Sequence, residues 1–287
     1  MLDRSAPCGI VTAPVTSLAL RSLRAVFSVG ECYFARRSLR SSQSAPRGIL
    51  DSLSQYQQRE QRLDHVAPSV RAFFEETSTL SLEIEPRWRA WAALFGWLWH
   101  GLARLLGQLC IPVVRSTIET ELFALACSIE GRSAARGVWR RYAGGRATMQ
   151  VIVYSVLEEQ GEGFMSASFP LPLSVLEGIL RLECVDEDER ALSGARLSSD
   201  RRPSRDRDPV GVFLHTPLGR VRLPLGESLT LWDAGSSKAP PALSARARET
   251  GATVVGLHEQ RLFGAVMVQH WYWFRPARSA HGSGTGS

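Results

Sequence analysis

The sequence predicts an α+β fold dominated by β structure: N-terminal helices followed by a large curved antiparallel sheet, half-barrel-like in shape. Three observations carry that expectation. Helical apolar spacing is confined to the stretch between about residue 50 and Pro112, and beyond it apolar residues alternate between turn signals. No strand–helix–strand rhythm follows, which argues against a parallel nucleotide-binding sheet. With 287 residues, 44% hydrophobic and 22% charged, the chain can bury a sizeable core.

Residues 1–48 precede this pattern. Seven arginines (Arg4, Arg21, Arg24, Arg36, Arg37, Arg40, Arg47) face only Asp3 and Glu31 there, supplying +5 of the net charge of +6. Residues 10–20 are modestly apolar, but Pro14 interrupts them and no signal-type core forms. A disordered or non-native extension is expected up to the polar stretch at 41–46. Residues 49–112 form the expected helical region. It comprises a polar surface helix at 50–63 with Asp51 as cap, a short helix at 69–76 after Pro68, and a Trp-rich helix ending before Pro112.

The β domain is expected over 113–278. Residues 117–129 fit either a strand (Phe123, Leu125, Cys127, Ile129) or a helix (Leu122, Leu125, Ala126, Ile129). Alternation is clearer at 136–142, 149–157, 164–169 and 176–185, then at 210–215, 220–225 and 228–232. A final hairpin pairs 250–258 with 265–274. Between these runs, residues 186–208 mix seven acids with six arginines and no aromatic residue. Such a segment buries too little apolar surface to offset its ordering entropy, so a mobile surface insertion is expected. The Gly/Ser-rich tail, 279–287, is expected to be disordered.

The Trp-rich helix is the most informative stretch. Trp88, Trp91, Trp97 and Trp99 are half of the eight tryptophans, and Leu94, Phe95, Leu98, Leu102 and Leu105 surround them. On a helix, Arg89, His100, Arg104 and Gln108 gather on one stripe and the remaining arc is apolar. That arc must be covered by the protein, a partner or a membrane surface. His100, Arg104 and Gln108 make it too polar for a comfortable span, whereas tryptophan suits a membrane interface. The four tryptophans are therefore the candidate membrane- or partner-facing residues.

The basic charge does not predict a nucleic-acid partner. Lys238 is the only lysine among 34 basic residues, a bias typical of GC-rich bacterial coding, and no basic stripe with interleaved aromatics occurs. Five scattered cysteines without a CxxC pair suggest reduced thiols in a cytoplasmic protein and no metal site. Dinucleotide, P-loop, serine-hydrolase and zinc-protease motifs are missing, so no cofactor and no catalytic residue is assigned.

Two local patterns suggest binding. In residues 269–274, His270, Tyr272 and Phe274 share one strand face and Trp271 and Trp273 the other; such a strand lines a pocket or packs in a core. Trp139 with Arg141 places a guanidinium beside an indole, a pair suited to an acidic headgroup, although a surface arginine stacked on an aromatic is the plainer account. Trp139, Arg141, His270 and Tyr272 are the candidate ligand-binding residues. Acid–base chemistry would fall to Glu119, Glu121, His215, His258 or His270.

Several phrases are similar to bacterial domains of unknown function 4166: Val138-Trp139-Arg140-Arg141-Tyr142, then Val212-Phe213 with Arg220-Val221-Arg222-Leu223-Pro224-Leu225, then Leu262-Phe263-Gly264 with Tyr272-Trp273-Phe274. The resemblance covers about residues 111–275. Such domains occur joined to, or encoded near, saccharopine-dehydrogenase-like or short-chain reductase proteins; the resemblance implies no catalytic residues. The leading expectation is a bacterial binding or accessory protein that encloses a hydrophobic or lipid-like ligand, cytoplasmic with peripheral contact at the inner membrane left open. An enzyme acting on a hydrophobic substrate and a protein–protein interaction module are the alternatives.

Overall fold

A computed structural model describes residues 29–30, 33–36, 39–56, 63–125, 133–145, 147–185, 194–201 and 208–277. Its strands are β1 (Leu80–Trp88), β2 (Ser116–Ala124), β3 (Ser133–Tyr142), β4 (Thr148–Glu159), β5 (Glu162–Leu171), β6 (Ser174–Cys184), β7 (Ala195–Ser198), β8 (Gly211–Thr216), β9 (Gly219–Arg222), β10 (Leu225–Asp233), β11 (Val254–Leu262) and β12 (Ala265–Pro276). They run in the order β5-β4-β3-β2-β1-β12-β11-β10-β7-β6, and a further β5–β6 pairing closes these ten into a barrel. All pairings are antiparallel. The expected curved sheet thus closes completely, its last seam being the β5–β6 hairpin from Met165↔Leu180 to Leu171↔Ser174. The β8–β9 hairpin hangs outside the ring on the edge of β6.

Alternating strand direction gathers the β1–β2, β3–β4, β5–β6, β8–β9 and β11–β12 connections at one end, the mouth. The other end is plugged by residues 49–56 and 63–75, including helix α1 (Pro68–Glu75). Ile49, Leu50, Leu53, Tyr56, Val70, Phe73 and Phe74 are buried there against Leu82, Ile84 and Phe274. The Phe73 ring meets Phe274 at 4.9 Å. Gly163 sits where a Cβ would come within 1.9 Å of the Gln55 carbonyl oxygen, so only glycine lets the plug seat. Helix α2 (Ala90–Leu106) follows β1 at the mouth and ends at the left-handed Gly107. Helix α3 (Pro241–Thr250) covers the outer face of β11 and β12, where the Trp273 indole donates to the Leu243 carbonyl at 3.1 Å.

Several expectations need correction. The helices do not form an N-terminal block, because β1, inside the expected helical region 49–112, lies in the barrel between α1 and α2. Pro86 hid this strand; it is tolerated because β2 pairs with β1 only over Leu82–Ile84, leaving a free edge at Pro86. No α-helix covers the described part of 50–63, which has short 3-10 turns at Leu53–Tyr56 and Leu63–His65. Residues 116–124 are strand rather than helix. The charged stretch 186–208 is not wholly a surface insertion: Ala195 and Leu197 of β7 belong to the core, and Asp208 is buried with Arg181 at 2.7 Å. Its residues 186–193 and 202–207 lie outside the described residues. The supposed extension is likewise packed where it is described. Val29 and Phe34 cover Phe123, Trp139, Val151 and Val153 on the outside of β2–β4. Residues 1–28 and the tail 278–287 lie outside the described residues.

Among the described residues, four other than glycine take the left-handed region: Leu109 (φ 53°) after α2, and three in hairpin turns, Gln160 (φ 55°) between β4 and β5, Leu173 (φ 58°) between β5 and β6, and Phe263 (φ 49°) between β11 and β12.

Candidate functional site: an apolar cavity beneath the mouth

The barrel encloses a cavity of about 580 Å³. This lies within the roughly 300–1,000 Å³ that encloses one small molecule. Phe73 and Phe274 form its floor, Met165, Phe169, Leu180 and Leu197 much of its wall, and Trp88, Trp91, Phe95 and Trp99 its rim. Helix α2 is held over that rim by polar contacts to the chain that follows it. The Trp99 indole donates to the Leu109 carbonyl at 3.1 Å, and His100 Nδ1 lies 2.9 Å from the Ile111 carbonyl. Buried Gln108 then staples this segment to the barrel. Its amide donates to the carbonyls of Val151 (2.8 Å) and Pro170 (2.9 Å) and accepts from the Val151 N–H at 2.7 Å.

A polar group set into this apolar wall occupies two places. On β10–β12, His258 Nδ1 is 3.0 Å from the Tyr272 hydroxyl and its Nε2 is 3.4 Å from Glu227. His270 stacks beside Tyr272, fully buried, with neither ring nitrogen hydrogen-bonded. Burial, reinforced by neighbouring His258, holds its pKa well below the usual histidine range, so it is neutral. Burial likewise raises the Tyr272 phenol. On β3–β4, Arg140 points inward with Gln150 and Tyr154 nearby on the cavity wall. Only 8% of Arg140 is exposed, its Nε has no acceptor, and among the described residues it forms no ion pair. Burial raises the Tyr154 phenol despite the opposing pull of Arg140.

The structure sorts the expected site residues by face. His270 and Tyr272 line the cavity, as do Trp88, Trp91 and Trp99, while Trp97 points away and is 63% exposed. Trp139 and Arg141 are on the outside and not in the cavity, and the Arg141 guanidinium lies 5.0 Å from the Trp139 ring centroid, the plainer of the two accounts of this pair. The Trp139 indole donates to Thr148 Oγ1 at 3.1 Å beneath the packed N-terminal segment, and Arg141 pairs with Glu119 at 2.7 Å. The inward arginine is Arg140; the signal for it was its phase with Val138 and Tyr142. Gln150 and Tyr154 were detectable in the same way, one strand on. Glu119 and Glu121 are exposed on the outer face, and His215 lies 2.7 Å from Glu177 away from the cavity. His258 faces the cavity with His270, ring centroids 5.6 Å apart.

The rim is unusually apolar outward as well as inward. Leu94, Trp97, Leu98, Leu102 and Leu105 of α2 are exposed, as are Leu173, Leu218 and Phe263 at the turn tips. Arg89, Arg104 and Arg222 stand exposed around them. Among the described residues no helix is long and apolar enough to cross a membrane.

Fold and cavity define a closed antiparallel β-barrel with an apolar interior beneath one end. The chain is similar to "Uncharacterized membrane protein YndJ" of Bacillus subtilis (strain 168), 26% identical over 186 residues, which are 64% of this chain and 33% of that protein. It thus matches about one third of that relative's length. No family model and no solved structure matches the chain.

Proposed function

We propose that this protein binds a hydrophobic, lipid-like molecule inside its barrel and meets a membrane surface with the mouth of that barrel. The observation that carries this reading is a coincidence of place. Every large hydrophobic side chain that is exposed among the described residues, from α2, Val114, the β5–β6 and β11–β12 turns and the β8–β9 hairpin, belongs to the mouth end, where tryptophans also rim the cavity. Soluble surfaces scatter such residues singly, and a contiguous patch marks an interaction site. A bilayer interface suits these groups: its boundary accepts indole and leucine, and its anionic headgroups attract Arg89, Arg104 and Arg222. The similarity to a protein named as a membrane protein agrees with that placement.

The binding reading is preferred over catalysis because three of the five acid–base candidates, Glu119, Glu121 and His215, lie off the cavity. The Glu227–His258–Tyr272 chain is what an enzyme acting on the same ligand would retain. Detergent-free purification, organic extraction and mass spectrometry test both. A stoichiometric hydrophobic molecule that survives prolonged incubation unchanged supports binding, and its conversion to a product supports the enzyme. Flotation with vesicles containing phosphatidylglycerol tests the membrane contact. An empty barrel that takes up no added lipid and stays out of the vesicle layer overturns the proposal.

A further inference from the structure

We infer that the molecule in the cavity is a single-chain amphiphile with an anionic head, a carboxylate or its phosphate or sulfate counterpart, and that Arg140 receives that head; this inference rests on the ligand-binding reading above. Arg140 is buried in the wall of an otherwise largely apolar chamber, inward between Val138 and Tyr142 on β3. A guanidinium cannot shed its proton in a protein, so burial cannot be relieved by neutralisation as it is for His270. An unpaired buried charge is severely unfavourable and requires a partner. The chain supplies such a partner elsewhere. Arg181, 1% exposed on the outer face, has Asp208 at 2.7 Å.

The one carboxylate among the described residues lining the cavity is otherwise engaged. Glu227 faces His258 at 3.4 Å. The other arginine on the cavity wall, Arg261, holds Asp200 at 3.2 Å and Glu259 at 2.9 Å. Arg140 is the guanidinium of the cavity left without an ion pair among the described residues, with its Nε lacking an acceptor. Its planar fork suits bidentate contact with a carboxylate or phosphate. Tyr154, kept protonated by burial, and the Gln150 amide are neighbouring donors for the remaining oxygens. From that point the apolar walls of Phe169, Leu180 and Leu197 accept a hydrocarbon tail. The volume of about 580 Å³ suits one small single-chain molecule.

The test uses the full chain after delipidation, with the uncharged dye Nile red as the displaced probe. Oleate, oleyl alcohol and oleyl phosphate compete for it. Oleate or oleyl phosphate is expected to bind about 10- to 100-fold more tightly than the alcohol, the worth of charged hydrogen bonds to a buried guanidinium. Arg140→Gln should abolish that preference while leaving the alcohol's affinity within about threefold, and Arg140→Lys should restore part of it. Thermal melts of both variants confirm folding, and the Lys variant retains the test if the Gln variant unfolds. Equal binding of acid and alcohol by the wild type, or a preference that persists in a folded Arg140→Gln, overturns the anionic-head assignment and leaves the ligand reading standing. No displacement by any of the three overturns both.

Discussion

The two ends of the barrel treat apolar side chains in opposite ways. At the plugged end, Leu53, Tyr56, Val70 and Phe74 are completely buried against the strands. At the mouth, residues of the same chemistry face outward, with Leu94 72% and Leu98 67% exposed. Burial of apolar surface stabilises a fold wherever it occurs, so a chain able to fill one end could have filled both. On the function proposed above, the plug belongs to folding and the apolar mouth to an encounter outside the chain.

Mutations at the two ends should separate these roles. The largest effect is expected at the plug: Phe74→Ala, in a fully buried ring, should cost about 3–5 kcal/mol in chemical denaturation. A loss below about 1 kcal/mol would show that the plug is not part of the cooperative unit. Next comes the staple beneath the mouth. Gln108→Ala strands the buried polar groups of Val151 and Pro170 and should cost about 2–3 kcal/mol, showing that the mouth is rigidly built despite its exposed surface. His270 should act only in acid. Its folded-state pKa lies below the ordinary 6.5, so the unfolded chain takes up the proton first and stability falls as pH drops below that value. His270→Phe should flatten that part of the stability–pH profile measured by urea titration at pH 5 and 7. The smallest change in stability is expected from Leu98→Asp on α2, within about 0.5 kcal/mol. Its flotation with anionic vesicles should nevertheless be lost; retained flotation would remove α2 from the contact surface.

Legibility in the sequence followed the range of the interactions involved. Alternation within a strand is local, so most strands after Pro112 and the shared face of His270 and Tyr272 could be read. The unpartnered arc of the Trp-rich helix was visible for the same reason. Alternation does not say which of two faces is inside. On β3 that choice depends on Val29 and Phe34, about a hundred residues earlier in the chain, which cover Trp139 and leave Arg140 to the interior. Closure of the barrel is also non-local, resting on the pairing of β1 with β12, where Leu80 lies opposite Pro276 from the far end of the chain. Strand β7 was lost by averaging: four residues, Ala195–Ser198, inside a long charged window. Strand β1 was lost to Pro86, whose tolerance depends on an unpaired neighbour.

The hairpin turns carry a last consequence. A left-handed backbone suits glycine or asparagine, and a bulky side chain there is disfavoured by about 1–2 kcal/mol. At the plugged end the chain meets this geometry with polar Gln160; at the mouth it uses Leu173 and Phe263, both more than 80% exposed and thus without compensating burial. Among these hairpin turns, a large apolar side chain takes this geometry only where the tips point away from the plug. If the mouth meets a membrane as proposed, Phe263→Asn should make the isolated protein slightly more stable in thermal melts and the vesicle-bound fraction smaller in flotation.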